Sequence, residues 1–150
     1  MEKLIKNPAC LSMPGNKKLF FTSIKNVKSI DLVSDTTVLV TFLPGLDWIE
    51  VEASEVDFNS VKPDNHFIND IAASFHAAAN KYDRYFNRMT EDRFICKIID
   101  NSNLAWIFGS IDFPLRFDFK HASGPTPQDN HVYELHFFNK SLDTPMISAT

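Results

Sequence analysis

At 150 residues, 44% of them apolar and fourteen of them Phe, the chain is one domain's worth of packed globular protein and not a disordered segment. A formal net charge of −4 and a pI near 5.7 give no overall electrostatic footprint for nucleic acid. Lys17, Lys18, Lys25 and Lys28 cluster locally and are read as a solvated surface.

Residues 1–16 contain Pro8, Pro14 and Gly15 and have no sustained period, so an irregular N-terminal arm is expected, with one short strand at Leu4-Ile5. Leu19–Ile24, Val27–Val33 and Thr36–Phe42 are rich in β-branched residues and Phe and predict strands. Asn26, Ser34-Asp35 and Pro44-Gly45 punctuate them as turns. From Trp48 the chain alternates Ile49, Val51 and Ala53 against Glu50, Glu52 and Ser54. The apolar phase then slips by one residue to Val56 and Phe58, which predicts a β-bulge near Ser54-Glu55.

His66–Met89 supports two readings. Phe67, Ile71, Phe75, Ala78, Tyr82, Phe86 and Met89 fall on one helical face, with Asp64 or Asn65 as a cap. Alternatively Phe67, Ile71, Ala73, Phe75 and Ala77 form one face of a strand that Asn69 interrupts, followed by a helix at about 81–89. Arg93–Phe119 is clearer: an apolar strand, a polar turn at Asp100–Asn103, and a returning strand that ends at Gly109. Pro114–Phe119 then alternates Leu115, Phe117 and Phe119 with Arg116 and Asp118, as a sheet with one buried and one wet face requires. The stretch 121–130, with Gly124, Pro125 and Pro127, reads as an exposed loop. His131–Phe138 returns as a strand with Tyr133, Leu135 and Phe137 on one side, and 139–150 reads as an extended tail.

Candidate chemistry is sparse. Four glycines, Gly15, Gly45, Gly109 and Gly124, build no phosphate cradle, and no cofactor site is predicted. His131 and His136 are five apart in a strand and so face opposite ways; His66 and His76 lie in no ligand pattern, and no metal site is predicted. Cys10 and Cys96 are too few for a disulfide framework; Cys96 sits in an apolar run as a small hydrophobe, and intracellular folding is expected. No charged-then-apolar leader opens the chain, and no apolar stretch approaches the roughly eighteen residues of a membrane span, so a soluble protein without a membrane partner is expected. Catalytic residues are expected to be none. The acid pairs Glu50/Glu52 and Asp112/Asp118 read as solubilising strand-face residues, and no serine or cysteine carries a nucleophile pattern. Trp48 and Trp106 suit core or subunit-interface packing.

The run RFICKIIDNSNLAWIFGSIDFPLRF, followed by HVYELHFF, resembles virion proteins of tailed bacteriophages and prophages of Bacteroidetes. Arg93-Phe94-Ile95, the turn Asp100–Asn103, Trp106–Gly109 and Pro114–Phe117 carry the likeness over about residues 90–138; Val132-Tyr133 departs from the Gly-Tyr pair of that group. The resemblance implies that His66–Ala77 is a strand and the helix short.

The expected fold is mainly β (α+β): a sandwich or partly closed barrel over 17–138 with one helix packed on its side, an N-terminal arm and a C-terminal tail. Phe94, Ile98, Trp106, Phe108, Leu115, Phe117, Tyr133, Leu135 and Phe137 are its expected core. The expected function is that of a non-enzymatic virion subunit forming a ring or tube in the tail, neck or head–tail connector. Its partners would be copies of itself and other virion proteins, with assembly into the virion after synthesis in the bacterial host. Glu50 and Glu52, with Trp48 and Trp106, are its candidate interface or lumen-facing residues, the acids discouraging DNA in the lumen from sticking. The alternative is a monomeric module that holds a small ligand or glycan with the 121–130 loop and exposed aromatics.

Overall fold

The computed structural model describes residues 2–4, 17–77, 82–122, 131–142 and 145–148. Most of the expected arm, the 123–130 part of the expected loop and parts of the expected tail lie outside them.

The described chain is mainly β with one short α-helix. In order it forms β1 (Glu2–Leu4), β2 (Lys18–Ser23), a 3₁₀ turn (Ile24–Asn26), β3 (Val27–Leu32), β4 (Thr37–Phe42), β5 (Ile49–Val51) and β6 (Glu55–Val61). There follow β7 (Phe67–Ala77), α1 (Asp83–Met89), β8 (Phe94–Ile99), β9 (Ala105–Phe108), β10 (Arg116–Ala122), β11 (His131–Ser141) and β12 (Met146–Ser148). Eight strands make one sheet in the order β1-β5-β2-β8-β9-β12-β4-β3, and four make a second in the order β10-β11-β7-β6.

The segment with two readings is a strand. β7 pairs antiparallel with β11 over its whole length and with β6 on its other side. Ile71, Ala73, Phe75 and Ala77 point into the core. Long-range ladder bonds and a shared core outweigh the modest strand propensity of alanine. Asn69, which breaks the apolar face, is accommodated by hydrogen bonds to both neighbouring strands: Ser60 Oγ donates to its Oδ1 at 2.6 Å, and its Nδ2 donates to Asn139 Oδ1 at 2.9 Å.

The expected bulge near Ser54-Glu55 is a change of sheet. β5 belongs to the large sheet and β6 to the small one. Between them the Ala53 N–H bonds Val51 O at 2.9 Å, and the Ser54 N–H already bonds Ser74 O of β7 at 2.9 Å. Both Val51 and Val56 remain inward-facing because the two sheets present their inner faces to one core, so the slipped period marks a corner. A register shift does occur in the large sheet, between Val27 and Ser29.

The main core lies between the sheets. Leu19, Phe21, Phe94, Cys96, Ile98 and Phe108 from the large sheet meet Ile71, Phe75, Phe117, Tyr133, Leu135 and Phe137 from the small one. Helix α1 closes one end of it: Phe86 is fully buried, its ring 5.1 Å from that of Tyr133 and 6.1 Å from that of Phe75. Asp83 in the first turn accepts a 2.7 Å hydrogen bond from the Tyr133 hydroxyl and pairs with His121 Nδ1 at 3.1 Å, which ties α1 to β10 and β11. Of the expected core residues, all but Trp106 are buried, and Trp106 packs half-buried against the same cluster.

The large sheet also buries part of its other face, where Phe20, Val27, Val38, Trp48, Ile95 and Ile107 form a second cluster. This requires strong curling. In the strand order β5 and β4 stand five places apart, about 24 Å in a flat sheet. Yet the rings of Phe42, in β4, and Trp48, beside β5, lie 5.3 Å apart, edge to face. The sheet is therefore bent into a half-barrel, and among the described strands β3 ends it without closing it.

Candidate functional site

The outer face of the small sheet follows directly from alternation. While Val56, Ile71, Phe117 and Leu135 point inward, Asp57, Ala72, Asp118 and His136 form one cross-strand row outside. Glu55, Ser74, Glu134 and Lys120 form the next row. Small side chains at the centre and charged ones at the rim leave a shallow depression of about 400 Å³ with Ala72 and Ser74 on its floor. His136 Nε2 lies 2.6 Å from Asp70 Oδ1, and its ring stacks on Phe138 at 4.8 Å. A histidine–carboxylate pair is a proton carrier, and among the described residues no hydroxyl or thiol is bonded to His136. Among the described residues no three His, Cys, Asp or Glu side chains converge as metal ligands.

A larger groove, about 670 Å³, opens at the far end of the half-barrel between β3 and the segment after β9. Ile30, Leu32, Ile111 and Met146 give it apolar walls, and the exposed carboxylates Asp35 and Asp112 also line it. Leu32 is 72% exposed, Ile111 50% and neighbouring Val33 61%. The sequence contains a signal for this groove: Leu32 and Val33 continue an apolar run into a turn, and Ile111 is an apolar residue in a loop, where neither has a core to enter.

The four residues singled out from sequence do not form one site. Trp48 is buried in the second cluster. Glu50 lies in β5 opposite Phe20 of β2, Glu52 follows the end of that strand, and both are half-buried. The ammonium of Lys97 sits over the Phe20 ring at 4.7 Å and the Trp48 ring at 5.2 Å. Burial lowers its pKa, and the charge of Asp47 partly offsets that. Trp106 serves the β8–β9 turn: its Nε1–H donates to Asp100 Oδ2 at 3.0 Å, while Asp100 Oδ1 accepts from the Ser102 and Leu104 amides. The Trp106 bond, with those two amides, holds the Asp100 carboxyl below the usual carboxylate range. Asp112 and Asp118 are separated, one in the groove lining and the other on the outer sheet face. The Cys96 thiol is fully buried, and burial pushes its pKa well up.

Comparisons of the chain with protein-family models, with curated proteins and with solved structures found no match. Among the described residues no helix is long and apolar enough to cross a membrane.

Proposed function

We propose that the protein is a non-enzymatic structural subunit of a tailed-bacteriophage virion, one that joins copies of itself into a ring or tube of the tail, neck or head–tail connector. The observation that carries this reading is the unfinished end of the half-barrel. Among the described residues β3 has a strand partner on one side only, and Leu32 at its end and Val33 just after it are exposed over most of their surface. An open edge next to exposed apolar side chains is a liability in a free monomer and an asset in a subunit that a neighbour completes. The resemblance of Arg93–Phe117 to virion proteins supports the same reading, because the residues that carry it serve as scaffold. Asp100 organises a turn, Gly109 ends a strand with φ +92°, and Leu115 bridges to Phe94.

On this reading the protein is made in the host cytoplasm and resides in the virion with other structural proteins. Glu50 and Glu52 supply negative charge that would keep passing DNA from adhering if their face lines a lumen. Solution mass across a concentration series, with electron microscopy of the purified protein, tests the reading. Rings or tubes are the expected result. A strict monomer at every concentration, with no higher species in images, overturns it in favour of the small-ligand or glycan module.

A further inference from the structure

Helix α1 presents Arg84, Tyr85 and Arg88 to solvent while Phe86 and Met89 anchor it. Arg84 and Arg88 are four apart, so their guanidinium groups share one side of the helix. Neither forms an ion pair among the described residues, and neither do the exposed Asp35 and Asp112 in the lining of the 670 Å³ groove. One surface is thus a cationic ridge with an aromatic ring, and the other a partly apolar groove with two exposed carboxylates in its lining.

The two surfaces cannot meet within one chain. Asn69, at the base of the groove, and Phe75, under the helix, lie on the same strand, six residues apart, hence about 20 Å. In β11 the distance is longer still, from Ser141 at the groove to Tyr133 beneath Phe86. Ridge and groove therefore sit at opposite ends of the small sheet. A complementary pair of patches at opposite ends of one subunit makes a head-to-tail contact, and head-to-tail contacts generate rings when they close and filaments when they do not.

We propose that the groove bounded by Ile30, Leu32, Ile111 and Met146 receives helix α1 of a second copy of this chain, with Arg84 and Arg88 meeting Asp35 and Asp112. This rests on the assembly reading above and specifies its interface. Tyr85 would enter the apolar part of the groove, as aromatic side chains do at interface centres.

Charge exchange tests it. Two variants are made, Arg84→Glu with Arg88→Glu, and Asp35→Lys with Asp112→Lys. All four positions are exposed, and circular dichroism should show an unchanged fold. Each variant alone opposes like charges, and its self-association should weaken roughly a hundredfold. Mixing the two should restore assembly, because every contact in an alternating array then joins opposite charges. Wild-type assembly that either variant leaves unchanged, or a mixture that stays dissociated, overturns this interface while leaving the assembly reading intact. Wild-type protein that is monomeric at every concentration overturns both and leaves the groove to a different protein or to this chain's own residues.

Discussion

Asn69 and Asn139 hydrogen-bond to each other across β7 and β11, Nδ2 to Oδ1 at 2.9 Å, in a row of polar side chains at the groove end of the core. Ser60 feeds this row from β6, and Asn139 Nδ2 ends it on Phe113 O at 2.8 Å. Asn69 is only 2% exposed, so its amide must find its partners inside the protein. The row ties three strands of the small sheet to the segment that leads into β10.

Replacement Asn69→Leu should therefore destabilise the protein despite adding apolar surface. It removes the partner of the half-buried Ser60 hydroxyl and Asn139 carbonyl, at about 0.5–1.5 kcal/mol for each hydrogen bond lost. The denaturant midpoint should fall without a change in slope. A double-mutant cycle with Asn139→Leu should show a coupling of about 0.5–3 kcal/mol, and additivity would exclude the row as a cooperative unit.

Phe86 holds α1 to the small sheet through four rings, Phe75, Phe117, Phe119 and Tyr133. Phe86→Ala should cost about 3–5 kcal/mol, read from chemical denaturation. Amide exchange should rise in α1 before it rises in β8, since the helix is covered from one side only.

Asp100 has a depressed folded-state pKa, so its contribution to the turn is complete above the unfolded value of about 3.9 and is lost as pH falls through the folded value. In a Trp48→Phe background, Trp106 fluorescence should stay constant down to about pH 4 and shift below it. Asp100→Asn should abolish that transition, whereas a shift that persists in this variant would assign it to another carboxyl.

Gly109 combines φ +92° with a close approach: a Cβ there would lie 3.3 Å from both Leu115 Cγ and Phe94 O. Gly109→Ala should cost at least about 1–2 kcal/mol from the backbone alone. Leu115 is fully buried, so Leu115→Val has a cost of its own; a double-mutant cycle should show favourable coupling if the contact contributes and additivity if backbone strain is the whole effect.

Cys96 should be inert while the protein is folded. In a Cys10→Ser chain, a thiol reagent at pH 8 should label Cys96 at a rate that follows global unfolding and rises with denaturant. Rapid labelling in native buffer would contradict the burial that keeps this thiol protonated.

Where a segment's local pattern had one solution, the elements were legible in sequence. Phe94–Ile99, the Asp100–Asn103 turn, Ala105–Phe108 and the alternation from Leu115 are each specified by neighbours in the chain. Phe67–Ala77 was not, because a helix and a strand bury nearly the same residues there, and only β6 and β11 on either side decide between them. The slip at Ser54-Glu55 carried a true signal with two meanings, bulge or corner. Choosing between them needed the partner of Ser54, which stands twenty positions along the chain.

The candidate surfaces divide in the same way. Period-two alternation determined that the chain builds sheets with a phenylalanine-rich interior and charged outer faces, because each side chain's direction follows from its own strand. Tertiary structure alone decided that the large sheet curls until Trp48 meets Phe42, that Asn69 faces Asn139, and that Leu32 and Ile111 share one groove with Arg84 and Arg88 at the opposite end. Those relationships join residues tens of positions apart, and strand pairing, not local propensity, brings them to their places.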